Sequence, residues 1–132
     1  MVIVNPWINY SKQFNFGLNV VRQDKYDWIL RIDADEVFTN KLIKDIKEFL
    51  NKKDPEISGI MLSRLVVFQN KILRFGGKSQ LLRIFRPNKG ICEDRYMDEH
   101  IILDGKVKTL HEPYYEYPLR NLTWWIQKHN LY

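Results

Sequence analysis

The sequence predicts an α/β fold: an α/β first part followed by an antiparallel second part. Three observations carry that expectation. Up to about residue 55, two stretches with apolar residues at helical spacing bracket one short continuous apolar run. Beyond it, strand-like runs are separated by turn dipeptides, of which Asp104-Gly105 is the strongest hairpin signal. The chain has 132 residues, 45% hydrophobic and 14% aromatic, which is one domain's length and too apolar for a disordered segment.

The elements follow in order. Val2-Ile3-Val4 reads as the tail of a strand, stopped by Asn5-Pro6. Ser11 is placed to cap a helix running to about Arg22, with Phe14, Leu18 and Val21 on one face. Residues 28–32 form a short buried strand that runs into Asp33-Ala34-Asp35-Glu36. Thr39 or Asn40 caps a second helix, whose stripe is Leu42, Ile43, Ile46, Phe49 and Leu50, with lysines opposite. Residues 60–68 then read as a strand, Gln69-Asn70 as a turn, and 71–75 as the return strand. Residues 80–86 alternate, and 97–103 and 106–110 pair across Asp104-Gly105. A last helix covers about Leu122 to Asn130.

Charge and cysteine usage narrow the classes. The balance is 21 Lys+Arg against 16 Asp+Glu, a net +5 that suits a phosphate-bearing ligand or an anionic membrane surface. Cys92 is the single cysteine, so an internal disulfide framework is excluded and a reducing compartment fits. No stretch approaches the roughly 20 apolar residues of a membrane span, and no signal-peptide pattern opens the sequence. The expectation is a soluble cytoplasmic protein. A nucleic-acid-binding domain is a rival prompted by the charge and aromatics, but the basic residues are scattered and the acidic cluster would repel phosphate.

That acidic cluster is the sharpest feature. Asp33 and Asp35 follow an apolar strand, where ligands bind in open α/β sheets. Three acids in four residues repel one another unless a cation is present. A hard divalent ion such as Mg²⁺ or Mn²⁺ takes carboxylate oxygens and shares its remaining sites with substrate phosphates. The plain alternative is a solvated acidic turn ahead of the next helix.

The stretch from Tyr26 through Asp27-Trp28-Ile29-Leu30-Arg31-Ile32 to Asp33-Ala34-Asp35-Glu36 resembles the D-x-D region of family 2 glycosyltransferases of the GT-A type. Gln13-Phe14-Asn15-Phe16-Gly17-Leu18 is similar to the helix before it in that family, and Met97-Asp98-Glu99-His100 resembles the acidic acceptor-site motif. The ending, Trp124-Trp125-Ile126-Gln127-Lys128-His129-Asn130-Leu131-Tyr132, is similar to the last helix of bacterial members that build lipopolysaccharide core, capsule or exopolysaccharide. Family members open with two or three strand–helix units holding the nucleobase and ribose, expected upstream of Val2. The sequence therefore reads as a partial GT-A fold, Rossmann-like, with residues 1–132 one domain lacking its N-terminal nucleotide-binding part. Residues 1–55 would be the end of the donor and metal half, and 56–132 an antiparallel acceptor half.

The resemblance implies metal-dependent, inverting transfer of a sugar from a nucleotide-diphosphate donor to a glycan or lipid-linked acceptor, in cell-surface polysaccharide synthesis. Asp33 and Asp35 would hold Mn²⁺ or Mg²⁺ against the diphosphate, with His111 completing the metal shell and Lys128 near the diphosphate. A general base for the acceptor hydroxyl would be Glu99 or Asp98, with Glu99 preferred as the second acid of the pair. His100 reads as structural. Arg83 and Arg86 match a family stretch that would meet phosphate or acceptor, and an edge strand with arginines facing water explains them equally. Trp124, Trp125, Tyr114, Tyr115 and Tyr117 would stack on sugars, seat the protein at the inner face of the plasma membrane, or pack in a core. A homo-oligomer and a non-catalytic glycosyltransferase fragment are further expectations, and no nucleic-acid partner is expected.

Overall fold

A computed structural model describes residues 2–22, 25–95, 100–118 and 122–130, with the side chains of Trp125, Lys128 and His129 outside that description. The element order is α1 (Tyr10–Val21), β1 (Ile29–Leu30), β2 (Glu36–Val37), α2 (Asn40–Asn51), β3 (Ile57–Phe68), β4 (Lys71–Ile72), β5 (Lys78–Phe85), β6 (Gly90–Cys92), β7 (Ile101–Leu103), β8 (Lys106–Glu116) and α3 (Leu122–His129). Hydrogen-bonded neighbours run β1-β5-β3-β8-β2, β4 pairs with β3, and β6 with β7 form a separate ladder. The pairs β1–β5, β2–β8, β3–β4 and β6–β7 are antiparallel. This is a mixed α/β fold, as the residue patterns predict.

The chain divides into two compact units, and each draws on segments before and after residue 55. One comprises Met1–Arg31, Lys53–Met61 and Leu82–Thr109; the other comprises Ile32–Lys52, Leu62–Leu81 and Leu110–Tyr132.

In the first unit, α1 is capped by Asn9, not Ser11: the Asn9 side-chain oxygen accepts from the Lys12 N–H at 2.8 Å. Ser11 lies one position inside the helix, fully buried, its hydroxyl on the Cys92 carbonyl at 3.4 Å. Asn15 clamps the same residue, donating to the Cys92 carbonyl (2.7 Å) and accepting from its N–H (2.9 Å). Arg22 reaches the carbonyls of Pro87 and Gly90. Polar side chains of α1 thus satisfy backbone groups that β6 leaves over. Leu18, Ile60, Ile84, Phe85 and Cys92 are buried.

Three expectations are corrected here. Val2-Ile3-Val4 is exposed and forms no strand. The strand predicted over 28–32 shrinks to Ile29–Leu30, opposite Phe85 and Ile84, with the Arg31 N–H on the Arg83 carbonyl extending it. It is last in the pairing order, and Leu30 and Ile32 are 46% and 48% exposed, so it is an edge and not a buried strand. Asp104-Gly105 is not a hairpin turn either: β7 pairs with β6, while β8 joins the larger sheet. The glycine is needed for another reason. Gly105 has φ +120°, and a Cβ there would collide with the Ser58 side chain.

In the second unit, Thr39 caps α2, accepting from the Leu42 N–H at 3.0 Å. Leu42, Leu62 and Tyr114 are fully buried, and the Phe38 ring lies 5.2 Å from Tyr114. β8 runs six residues past its predicted end at Leu110. Its pairing with β2 falls at residues 115–116, beyond Pro113, so that contact asks no amide hydrogen of the proline. The turn at Gln69-Asn70 forms as predicted, with φ of 49° and 61°, the left-handed pair a two-residue hairpin requires. No helix among the described residues is long and apolar enough to cross a membrane.

Candidate functional site

The residues 33–36 form a turn tied at both ends. The Glu36 N–H donates to the Asp33 carbonyl (3.1 Å), closing a four-residue turn, and the Asp33 N–H donates back to Glu36 Oε2 (3.0 Å). A third bond, from the Tyr117 N–H to the Asp35 carbonyl (2.8 Å), fixes the turn to the end of β8. Glu36 is only 7% exposed, whereas Asp33 is exposed and Asp35 half-buried. The three acids therefore divide the work. Glu36 turns inward as a clasp, and the turn presents Asp33 and Asp35 from its first and third positions.

Glu36 also anchors a polar row across the sheet. It stands directly opposite Glu116 on β8. The hydrogen-bonded neighbours are Asp35 and Tyr117, which makes Glu36 and Glu116 a non-hydrogen-bonded pair, the kind whose side chains approach most closely. Two like charges so placed repel. Arg64 on β3 offsets this: its Nη1 donates to Glu116 Oε2 at 2.7 Å, and its Nε to Ser79 Oγ at 3.0 Å. Ser79, Arg64, Glu116 and Glu36 thus follow one another over β5, β3, β8 and β2. Next along β8, Glu112 pairs with Lys41 of α2. That hydrogen bond holds the Lys41 ammonium above the ordinary lysine range.

Of the expected ligands, Asp33 and Asp35 share the turn and His111 lies elsewhere. His111 lies on β8 and is exposed. Among the described residues no three His, Cys, Asp or Glu side chains come together as a metal-binding group, so His111 does not join Asp33 and Asp35. Two carboxylates on one turn still fit the chemistry of a hard cation that completes its shell with phosphate oxygens and water. Asp98 and Glu99 lie outside the described residues, and Lys128 is on α3 with its side chain outside the description.

Other residues prove structural. Arg86 stacks over the Trp28 ring at 4.5 Å and donates to the carbonyls of Ile57 (3.0 Å) and Asp54 (3.2 Å), a structural set of contacts. Arg83 is 5% exposed, not a water-facing edge residue. Tyr114 is core, not a sugar platform. His100 fits its structural reading: its Nδ1 lies 3.1 Å from Glu93 Oε1, and its carbonyl accepts from the Glu93 N–H, extending the β6–β7 ladder. Sequence reasoning saw Glu36 in the acidic block but gave it no separate role, and it missed Arg64 and Glu116. The one available signal was Arg64 itself, a lone charge inside the apolar run of β3.

No protein-family model matches the chain. Curated relatives do. The chain is 25% identical over 150 residues to an uncharacterized glycosyltransferase of Rickettsia bellii, covering 99% of this chain and 48% of the relative. A second, from Rickettsia felis, is also 25% identical over 150 residues, covering 99% of the chain and 50% of that protein. A third, from Rickettsia prowazekii, is 30% identical over 86 residues, or 65% of the chain and 26% of that protein. This chain is similar to glycosyltransferases. It spans about half the length of the curated relatives it matches.

Proposed function

We propose that this chain carries the metal- and diphosphate-binding turn of a family 2, GT-A-type glycosyltransferase acting on a nucleotide-diphosphate sugar. The observation that supports the reading is the clasped turn: bonds from Glu36 and Tyr117 fix its backbone, with Asp33 exposed and Asp35 half-buried upon it. The similarity to proteins named glycosyltransferase over nearly the whole chain supports it. Asp33 and Asp35 would hold a divalent cation, Mn²⁺ or Mg²⁺, which when bound supplies positive charge against the donor diphosphate. Glu99 takes the proton of the acceptor hydroxyl in an inverting transfer, with Asp98 as the neighbouring alternative. The acceptor is a glycan or lipid-linked sugar of a cell-surface polysaccharide.

Two carboxylates leave the coordination shell incomplete, so Mn²⁺ should bind measurably only when a nucleoside diphosphate is present. Calorimetric titration of Mn²⁺ into the chain with uridine or guanosine diphosphate tests this. The expected result is metal-dependent nucleotide binding that Asp35→Ala abolishes. Binding unchanged in that variant overturns the reading.

A further inference from the structure

Between Glu56 and Glu93 the sequence contains no acidic residue, while Lys and Arg recur through it. This stretch contains the β3–β4 hairpin and the loop into β5. There Lys71, Arg74 and Lys78 are all exposed, and so are Ile72 (48%), Leu73 (39%) and Phe75 (93%). An isolated exposed leucine or isoleucine is ordinary. A phenylalanine almost wholly in water, with two more exposed apolar side chains and three exposed cations within four residues of it, is a patch of distinct chemistry.

Its shape is set by the backbone. Val66 accepts from the Leu73 N–H (2.9 Å) and donates to the Gly77 carbonyl (3.0 Å), so both ends of the loop are tied to one residue of β3. The neck is tight: a Cβ on Gly77 would lie 2.5 Å from Leu73 Cβ and 2.8 Å from its carbonyl oxygen. Gly76, at φ +69°, turns the chain at the tip. Arg74-Phe75-Gly76 is therefore a pinned protrusion. Phe75 projects because the neck fixes the loop.

We propose that this hairpin is a membrane-docking element that seats Phe75, Leu73 and Ile72 at the surface of an anionic lipid bilayer. An aromatic or aliphatic tip suits the boundary between headgroups and acyl chains, and lysine and arginine stems lie along apolar surface while their charges reach the headgroups. No acid lies in the sequence between residues 57 and 92, so this stretch itself adds no repulsion toward an anionic surface. A soluble phosphate is a poorer fit, because it would leave the exposed Ile72, Leu73 and Phe75 side chains in water. A single strand of nucleic acid would need a row of stacking aromatics, and the tip has one. The inference goes beyond the glycosyl-transfer reading and uses none of the residues of the acidic turn.

The test is vesicle flotation of the whole chain. It compares phosphatidylcholine vesicles containing phosphatidylglycerol with pure phosphatidylcholine, at low and high salt. Three proteins are needed: the parent, Phe75→Ser, and the triple variant Lys71→Gln, Arg74→Gln, Lys78→Gln. Matching far-UV spectra establish that the variants are folded. The parent should float with the anionic vesicles, weakly with the neutral ones, and less at high salt. The triple variant should bind roughly 10²-fold more weakly. Phe75→Ser should bind about tenfold more weakly and keep its salt dependence. No flotation of the parent with anionic vesicles overturns the proposal, as does flotation unchanged in both variants. Parallel titrations with inorganic diphosphate and an oligonucleotide separate the sources. Tight binding of either that the triple variant loses, without vesicle binding, assigns the cations to a soluble ligand and refutes membrane docking. Because Asp33 and Asp35 are untouched, metal-dependent nucleotide binding should be the same in all three proteins.

Discussion

Arg64→Met removes the cation bonded to Glu116, the residue that stands across the strands from Glu36. The guanidinium donates to Glu116 at 2.7 Å and to Ser79 at 3.0 Å, and the Arg64 and Glu116 side chains are 29% and 22% exposed. That places the pair between an exposed bridge, worth about 0–1 kcal/mol, and a buried one, whose breakage costs about 3–5 kcal/mol. The methionine keeps the stem's packing. What is lost is a charge-assisted hydrogen bond, a bond to a hydroxyl that water can replace, and the neutralisation of the Glu116 charge. A destabilisation of about 2 kcal/mol follows. For a chain of this size it should lower the thermal midpoint by roughly 8 °C. Chemical denaturation followed by circular dichroism measures it. The decisive control is Glu116→Gln in the Arg64→Met background, which removes the uncompensated charge and should restore about 1 kcal/mol. A single variant within about 0.5 kcal/mol of the parent, or a double variant less stable than Arg64→Met, would show that the row is not coupled as described.

Other perturbations test separate parts of the molecule. Gly77→Ala should destabilise by about 1–3 kcal/mol, because the added methyl meets the Leu73 backbone and side chain at the loop neck; an unchanged denaturation midpoint would mean the neck is open. Hydrogen bonds from Lys12 and Asn9 hold the Asp94 carboxyl below its ordinary value of 3.8. A depressed folded-state pKa means stability that is present above 3.8 and lost as pH falls below it. Asp94→Asn should therefore flatten the acid limb of a pH–stability curve, and parallel curves for parent and variant would contradict this. In transfer assays, Glu99→Gln should reduce turnover by roughly 10²–10⁴-fold and Asp98→Asn much less; the reverse order would make Asp98 the base.

Local chemistry was legible in the sequence where one residue decides it. Thr39 as a helix cap, the left-handed turn at Gln69-Asn70, the helical stripe around Leu42 and the last helix from Leu122 all depend on near neighbours. The acidic block could be recognised as chemistry-bearing for the same reason. Capping failed by two residues at α1, because Asn9 and Ser11 are both good caps, and only the packing of Ser11 against Cys92 separates them.

The sequence by itself determined that Asp33, Asp35 and Glu36 would lie on one turn after an apolar segment, since a four-residue turn is a local event. Only the tertiary structure decided which acids face outward. Glu36 faces inward with its carboxylate on the Asp33 N–H, and β2 sets it opposite Glu116, whose charge Arg64 meets from a third strand. Those partners come from positions 64 and 116, far along the chain. Strand alternation can say which face a residue occupies, but not which strand will lie beside it. The same limit explains the Asp104-Gly105 error. A glycine required by a close approach to Ser58 carries the same letter as one required by a hairpin, and only the neighbour distinguishes them.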